Sequence, residues 1–289
     1  MYEVSLQPVS SKSLVIDLLS TMPRHHPVAV GALVRAAALF GVGENSMRVT
    51  LARLRSRGLI ESDQRGFYRL SRAALAVNRE VRAWPSIDSE VVPWDGSFVA
   101  VDTSHLPKRD RKASRTRNRA LRLLGFESLS PALKIRPNNL RGGPERCRER
   151  LAGLGFSPAP LVVTITELDL ETNCSALGLW NVEALHARYE TTRVTLEGSL
   201  SRLPTLSREA AMVESFRIGG EAVRQIVLDP LLPEEIVNAE ARRAMFDAMR
   251  TYDRAGRDYW KQWTGTTVEP ERSPVDMGRL EPSPNTIRT

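Results

Sequence analysis

Cysteine is almost absent from this chain: there are two, Cys147 and Cys174, in 289 residues. They form neither a disulfide framework nor a metal-binding spacing. They read as ordinary thiols of a reducing compartment, so a cytoplasmic protein is expected. Histidine is nearly as scarce, with four residues. His25 and His26 are adjacent, flanked by prolines, and have no cysteine or acidic cluster beside them, which reads as a loop and not a metal site. No run of about 18 apolar residues occurs, so no membrane-spanning helix is expected. The start, MYEVSLQPVS, has no basic stretch leading into an apolar core, and a secretory signal is not expected. No GxSxG, Walker A or GxGxxG signature is present, which removes the usual marks of a serine hydrolase, a P-loop enzyme and a dinucleotide enzyme. No cofactor and no metal are expected. Trp94, Trp180, Trp260 and Trp263 read as core or interface anchors and not as a cofactor box.

What the chain does have is basic charge, unevenly placed. The net charge is +7, made of +4 over residues 1–90, +6 over 91–170 and −3 over 171–289. A basic front and an acidic back suggest an anionic partner for the front, beside the plainer alternative of drift in solvated surface charge.

The pattern of the first 85 residues is helix, helix, helix, hairpin. Residues 12–22 place Leu14, Val15, Leu18, Leu19 and Met22 at helical spacing. Residues 29–39 do the same with Val30, Leu33, Val34 and Ala37. A third helix is expected from about Asn45 to Arg57, with Gly58 as its cap. The run LIES-DQRG-FYRL then reads as two short strands around a polar turn. That order is a winged helix-turn-helix. A linking helix over 71–84 is expected to stop at Pro85. Residues 90–170 follow the order β-α-β-β-α-β, that of a ferredoxin-like domain. Residues 175–263 read as an all-helical domain, and the Pro-, Thr- and Ser-rich residues 264–289 as a disordered tail. The fold class is therefore α+β, in three domains.

On a helical wheel Met47, Leu51, Leu54 and Gly58 fall within about 60° of one another and form the expected buried stripe of the third helix. Asn45, Ser46, Arg48, Val49, Ala52, Arg53 and Ser56 face away from it. Small residues flanked by Asn and Arg can enter a major groove about 12 Å wide, where Arg pairs with guanine and Asn with adenine. Arg55 and Arg57 sit at the flanks and suit phosphates. Gln64 and Arg65 at the hairpin tip are placed to reach an adjacent groove or phosphate. The plainer alternative is a solvated helix in a small interaction module that binds protein. The agreement of order, wing and basic face favours double-stranded DNA.

Residues 108–122 hold eight basic residues and one acid. If the helix begins at Lys108, then Lys108, Arg111, Lys112, Arg115, Arg119 and Arg122 share one face about 100° wide. Either the phosphates of flanking DNA or those of a coenzyme A-type effector suit such a ridge. A solvated face is the bland alternative. Asp102 ends a strand, where a single carboxylate is weak evidence for a metal-dependent nuclease, which needs more ligands.

The residues GENSMRVTLARLRSRGLIESDQRGFYRLS resemble the first domain of PaaX, the phenylacetate-degradation repressor family. WDGSFVAVDTS and RNRALRLLGFESLSPALKIRP look like its middle domain. GLWNVEALHARYE and REAAMVESFRIGGEAVRQIVLDPLLPEEI look like its helical domain. The likeness spans about residues 12–240 and is most specific in the third-helix block and in LDPLLP. It departs after Ile236, where VNAEARRAMFDAMR stands in place of a tryptophan-containing segment. The resemblance implies a non-enzymatic, homodimeric cytoplasmic repressor of aromatic-acid catabolism, released from DNA by an aryl-coenzyme A thioester. The helical region from Leu177 to Trp263 is the expected dimerisation part.

Overall fold

The computed structural model describes residues 10–21, 27–63, 66–107 and 109–264. Among these it is a mixed α and β structure with ten α-helices and two small antiparallel sheets. None of its helices is long and apolar enough to cross a membrane.

The first unit is built by helices α1 (Ser11–Thr21), α2 (Val30–Leu39) and α3 (Glu44–Ser56). Their apolar stripes meet in one cluster: Leu14, Val15, Leu18 and Leu19 from α1, Leu33, Ala36 and Ala37 from α2, and Met47, Leu51 and Leu54 from α3. Ile60 of β2 (Ile60–Ser62) and Leu70 of β3 (Phe67–Leu70) close the cluster from below. The hairpin β2–β3 gains a third strand, β1 (Val28–Ala29), through Val28↔Tyr68 and Ala29↔Phe67. The sequence gives no sign of β1, because two residues of backbone pairing leave no alternation to detect. Gly58 is not part of the buried stripe. It is exposed at φ 67°, just past Arg57, where the Leu59 N–H reaches the Leu54 carbonyl at 3.0 Å and the Gly58 N–H reaches that of Arg55 at 2.9 Å. That left-handed stop turns the chain directly from α3 into the β2–β3 hairpin.

The linker also differs from expectation. Helix α4 (Arg72–Arg82) ends three residues before Pro85, and Pro85 does not stop the chain's helical run. It opens a 3-10 turn over Trp84–Glu90, since proline at the start of a helix gives up only an amide that has no partner there. Trp84 and Ile87 of this turn are buried against the C-terminal helices.

The middle unit runs β4 (Phe98–Asp102), α5 (Arg111–Leu123), β5 (Glu127–Ser128), β6 (Leu133–Pro137), α6 (Gly143–Gly153) and β7 (Leu161–Ile165). The sheet order is β5-β6-β4-β7, with every neighbour antiparallel. Residues Phe98 to Val101 of β4 are each exposed by 1% or less, because the sheet is covered on both faces. Val99 and Val101 pack under α5 and α6 with Ala120, Leu121 and Leu151. Phe98, Ala100 and Ile135 pack against Ala176 of α7 (Leu170–Leu177).

Three long helices complete the described residues: α8 (Val182–Arg202), α9 (Arg208–Val227) and α10 (Ala239–Thr264). Residues 229–233, DPLLP, tie this unit to the middle one. The Asn139 Nδ2 donates to the Leu231 carbonyl at 2.7 Å, the Arg136 Nη2 to that of Pro230 at 3.2 Å, and the Arg242 Nη1 to that of Leu232 at 2.6 Å. Gly125, at φ 74°, lies so close to Pro230 that a Cβ there would stand 2.8 Å from the Pro230 Cα. Leu231 itself adopts φ 51°, held by its N–H donating to the Asp229 carboxylate at 2.8 Å.

Burial pushes the Asp229 carboxyl above its ordinary 3.8, against the opposing pull of Tyr189, Arg242, the Leu231 amide and Arg188. A carboxyl raised in the folded state binds its proton more tightly there. Its contribution to stability is full below the unfolded value and is lost as pH rises through the folded one. Asp229→Asn keeps an acceptor for Leu231 without the titration. The melting temperature of the wild-type protein should therefore fall relative to the variant as pH rises above the ordinary carboxylate range. A pH-independent difference would mean that the neighbouring arginines fully offset the burial.

Candidate nucleic-acid interface

Helix α3 presents its expected outward face. Asn45, Ser46, Arg48, Val49, Ala52, Arg53, Arg55, Ser56 and Arg57 are all exposed, while Met47, Leu51 and Leu54 are buried. Val49 is 49% exposed, the one large apolar side chain on this face. The arginines differ in readiness. Arg48 is held by Glu44 at 2.6 Å, an exposed pair one turn apart. Such pairs contribute little, so a phosphate or base could displace it. Arg55 donates to Ser62 Oγ at 3.2 Å and so braces the helix against the wing. Arg53 and Arg57 have no ion pair among the described residues. The N-cap of α3 is Gly43, which has no side chain to satisfy the first amides. That end of the helix is open to an anion. Gln64 and Arg65 lie outside the described residues.

The basic ridge needs correction at its start. Asp110 caps α5, accepting from the Lys112 and Ala113 amides at 2.9 and 3.0 Å, so the helix begins at Arg111 and not at Lys108. The amide bonds to Ala113 and Lys112, with the nearby Arg117 and Lys112 charges, hold the Asp110 carboxyl below its ordinary range. Lys108 lies outside the described residues. Arg111, Lys112, Arg115, Arg119 and Arg122 are exposed and share one face. Arg117 is withdrawn from solvent, donating to the Ser157 carbonyl at 3.1 Å and to that of Pro107 at 2.6 Å, where it anchors α5 to the domain.

Asp102 serves its own turn. Its carboxylate accepts from the Ser104 amide at 2.9 Å and the Ser104 hydroxyl at 2.7 Å, which lowers its pKa. No group of three or more His, Cys, Asp or Glu placed to hold a metal occurs among the described residues.

A feature that sequence reasoning misses links the first unit and the helical unit. Phe40, at the end of α2, meets Phe216 of α9 edge-on at 5.1 Å, and Phe216 lies 5.8 Å from Trp260 of α10. Both Phe216 and Trp260 pack on the cluster beneath α3. Phe40 directly precedes the turn into α3, so the seat of α3 is set in part by α9 and α10. The sequence marks Trp260 as a core or interface anchor, but spacing does not reveal its partner.

Residues 10–74, which contain α1 to α3, the β2–β3 hairpin and the α3 face, match the family model described as PaaX-like protein. Over that segment the chain is similar to this family. Among curated proteins, none matches this chain. Among solved structures, an uncharacterized protein of Mycobacterium tuberculosis, Rv0674, is similar over 86% of this chain and 98% of its own, with 18% identity and a TM-score of 0.53. At that identity the likeness concerns the fold, and it extends well beyond the PaaX-like segment into the middle and helical units.

Proposed function

We propose that this PaaX-like protein is a non-enzymatic, cytoplasmic transcriptional regulator that reads duplex DNA with α3. In this reading residues 10–74 are a winged helix-turn-helix and the middle unit, with its β-α-β-β-α-β order, is ferredoxin-like. The observation that carries it is the α3 face itself: nine exposed residues, small at the centre and basic at the flanks, with Arg53 and Arg57 unpaired among the described residues. A protein-binding helix would be expected to expose more apolar surface there than Val49 alone. One such helix covers few bases, so two copies acting on half-sites about one turn apart are the natural assembly. The PaaX-like match over residues 10–74 supports a regulator in general, and the finer reading, a repressor of aromatic-acid catabolic genes relieved by an aryl-coenzyme A thioester, rests on the wider resemblance to PaaX.

The test is selection of bound sequences from a random duplex library by the full chain, followed by titration of the selected site. A two-fold site is expected. Arg53→Ala should weaken binding to it by about 1–3 kcal/mol, or roughly 5- to 150-fold, because one pairing with a base or phosphate is removed. Phenylacetyl-coenzyme A should release the site where phenylacetate does not. No enriched sequence from the library, or an Arg53→Ala variant of unchanged affinity and intact fold, would sink the assignment of α3 as reader.

A further inference from the structure

We propose that the basic face of α5 is a second DNA contact, binding the phosphate backbone of the duplex beside the site that α3 reads. The proposal rests on the DNA-binding reading above and extends it to a surface on a different domain. Its first support is the absence of internal counter-charge. Several arginines of the C-terminal helices are matched by acids: Arg193 by Glu190 and Glu197, Arg243 by Glu234, Arg257 by Asp253. Arg111, Lys112, Arg115, Arg119 and Arg122 are exposed and have no ion pair among the described residues.

The second support is where the cations stand on the helix. The N-terminal end of a helix is positive, and acids are favoured in its first turn. The one acid at that end of α5 is the capping Asp110, and Arg111 and Lys112 stand beside it in the first turn, two cations to one carboxylate. The rest of the row, Arg115, Arg119 and Arg122, has no acid on its own helix, and an anion along the row would relieve the repulsion among these neighbours.

Shape decides which anion. Residues 111–122 cover about 16 Å along the helix axis, as a convex row of cations. Duplex DNA offers one phosphate per roughly 1.7 Å of its own axis, a polyanion of matching extent. A compact ligand needs a concavity. The cavities of about 190 Å³ beside Phe98 and Ile165, and about 440 Å³ between α8 and α10 beside Leu200 and Ala248, have no α5 residue in their walls.

Fluorescence anisotropy of the full-length protein on a random-sequence duplex, across a series of salt concentrations, tests this. Arginine substitution to glutamine at three positions, R115Q/R119Q/R122Q, removes charge from exposed positions only, and circular dichroism checks the fold. The slope of log affinity against log salt should become shallower by about 2.7, at roughly 0.9 for each phosphate no longer neutralised. The preference for the selected site over random duplex should stay as in the wild type. An unchanged slope, with Arg53→Ala still weakening the selected site, overturns the α5 contact and leaves the α3 reading standing. An unchanged slope together with loss of coenzyme A binding, read by calorimetry, overturns it in favour of a compact phosphate ligand. A wild-type protein without salt-dependent binding to either duplex overturns both.

Discussion

Arg136→Met is expected to lower the melting temperature by on the order of 10 °C, the equivalent of about 3–5 kcal/mol in a chain of this size. Arg136 is 2% exposed, and burial lowers its pKa to about 10, so it remains a cation at neutral pH. Its guanidinium donates to the carbonyls of Leu124, Pro137 and Pro230 and to the Asn139 side chain. Three of these acceptors belong to the middle unit and the fourth to the DPLLP strap, so one side chain holds two units together across the sheet. Methionine fills much of the volume and supplies no donor. Each buried acceptor left without a partner costs about 1–3 kcal/mol, less what the released charge returns. Arg136→Lys, with one compact ammonium in place of a planar fork, should fall between the two. Differential scanning calorimetry gives the comparison. A melting temperature equal to that of the wild type would show that the strap is held by packing alone.

The α3 face is legible in the sequence and the Arg136 site is not, and the physical reason is the same in both cases. A residue pattern reports the burial of one element against one neighbour. In α3, Met47, Leu51 and Leu54 face a single cluster, so every residue off that stripe is exposed, as a wheel predicts. In β6 the alternation of Leu133, Lys134, Ile135 and Arg136 reads as a strand with one wet face. The second face is covered by α5, α6 and the strap, and Arg136 is buried there. Coverage from both sides depends on elements remote in sequence, which alternation cannot register. The same limit applies to Phe40 and Phe216: each is a plausible core residue in its own helix, and only the tertiary fold makes them a pair. The start of α5 is misread for a local reason. The basic run looks continuous from Lys108, but the side chain of Asp110 satisfies two early amides and fixes the first turn at Arg111.

That aromatic pair suggests how a regulator of this build transmits a signal. If α3 reads DNA as proposed, a ligand can shift it only by binding one arrangement of α9 and α10 better than another. Phe216 contacts both the end of α2 and Trp260, so displacement in α9 or α10 acts on the segment leading into α3. The size of that effect is bounded by what α3 contributes on DNA, and a substitution at the centre of its face measures it.

Ala52→Glu should abolish sequence-selective DNA binding, reducing affinity by on the order of 1,000-fold while leaving the fold intact. Ala52 is exposed at the middle of the α3 face, between Val49 and Ser56 and beside Arg53. Alanine and glutamate are both good helix formers, and the position contributes nothing to the buried cluster, so a change in stability below about 0.5 kcal/mol is expected. On DNA the carboxylate would enter the groove between two rows of phosphates. Like charges brought together at an interface cost several kcal/mol. The longer side chain also meets base edges where a methyl group fitted. Ala52→Gln separates these causes, because it has nearly the same size without the charge. The glutamine variant should lose only part of the affinity and alter the preferred sequence, since an amide can still pair with adenine. If both variants bind the selected duplex as the wild type does, α3 does not enter the groove. If instead they leave DNA binding intact and disrupt a protein complex, the helix is a protein-interaction surface and the domain is a scaffold.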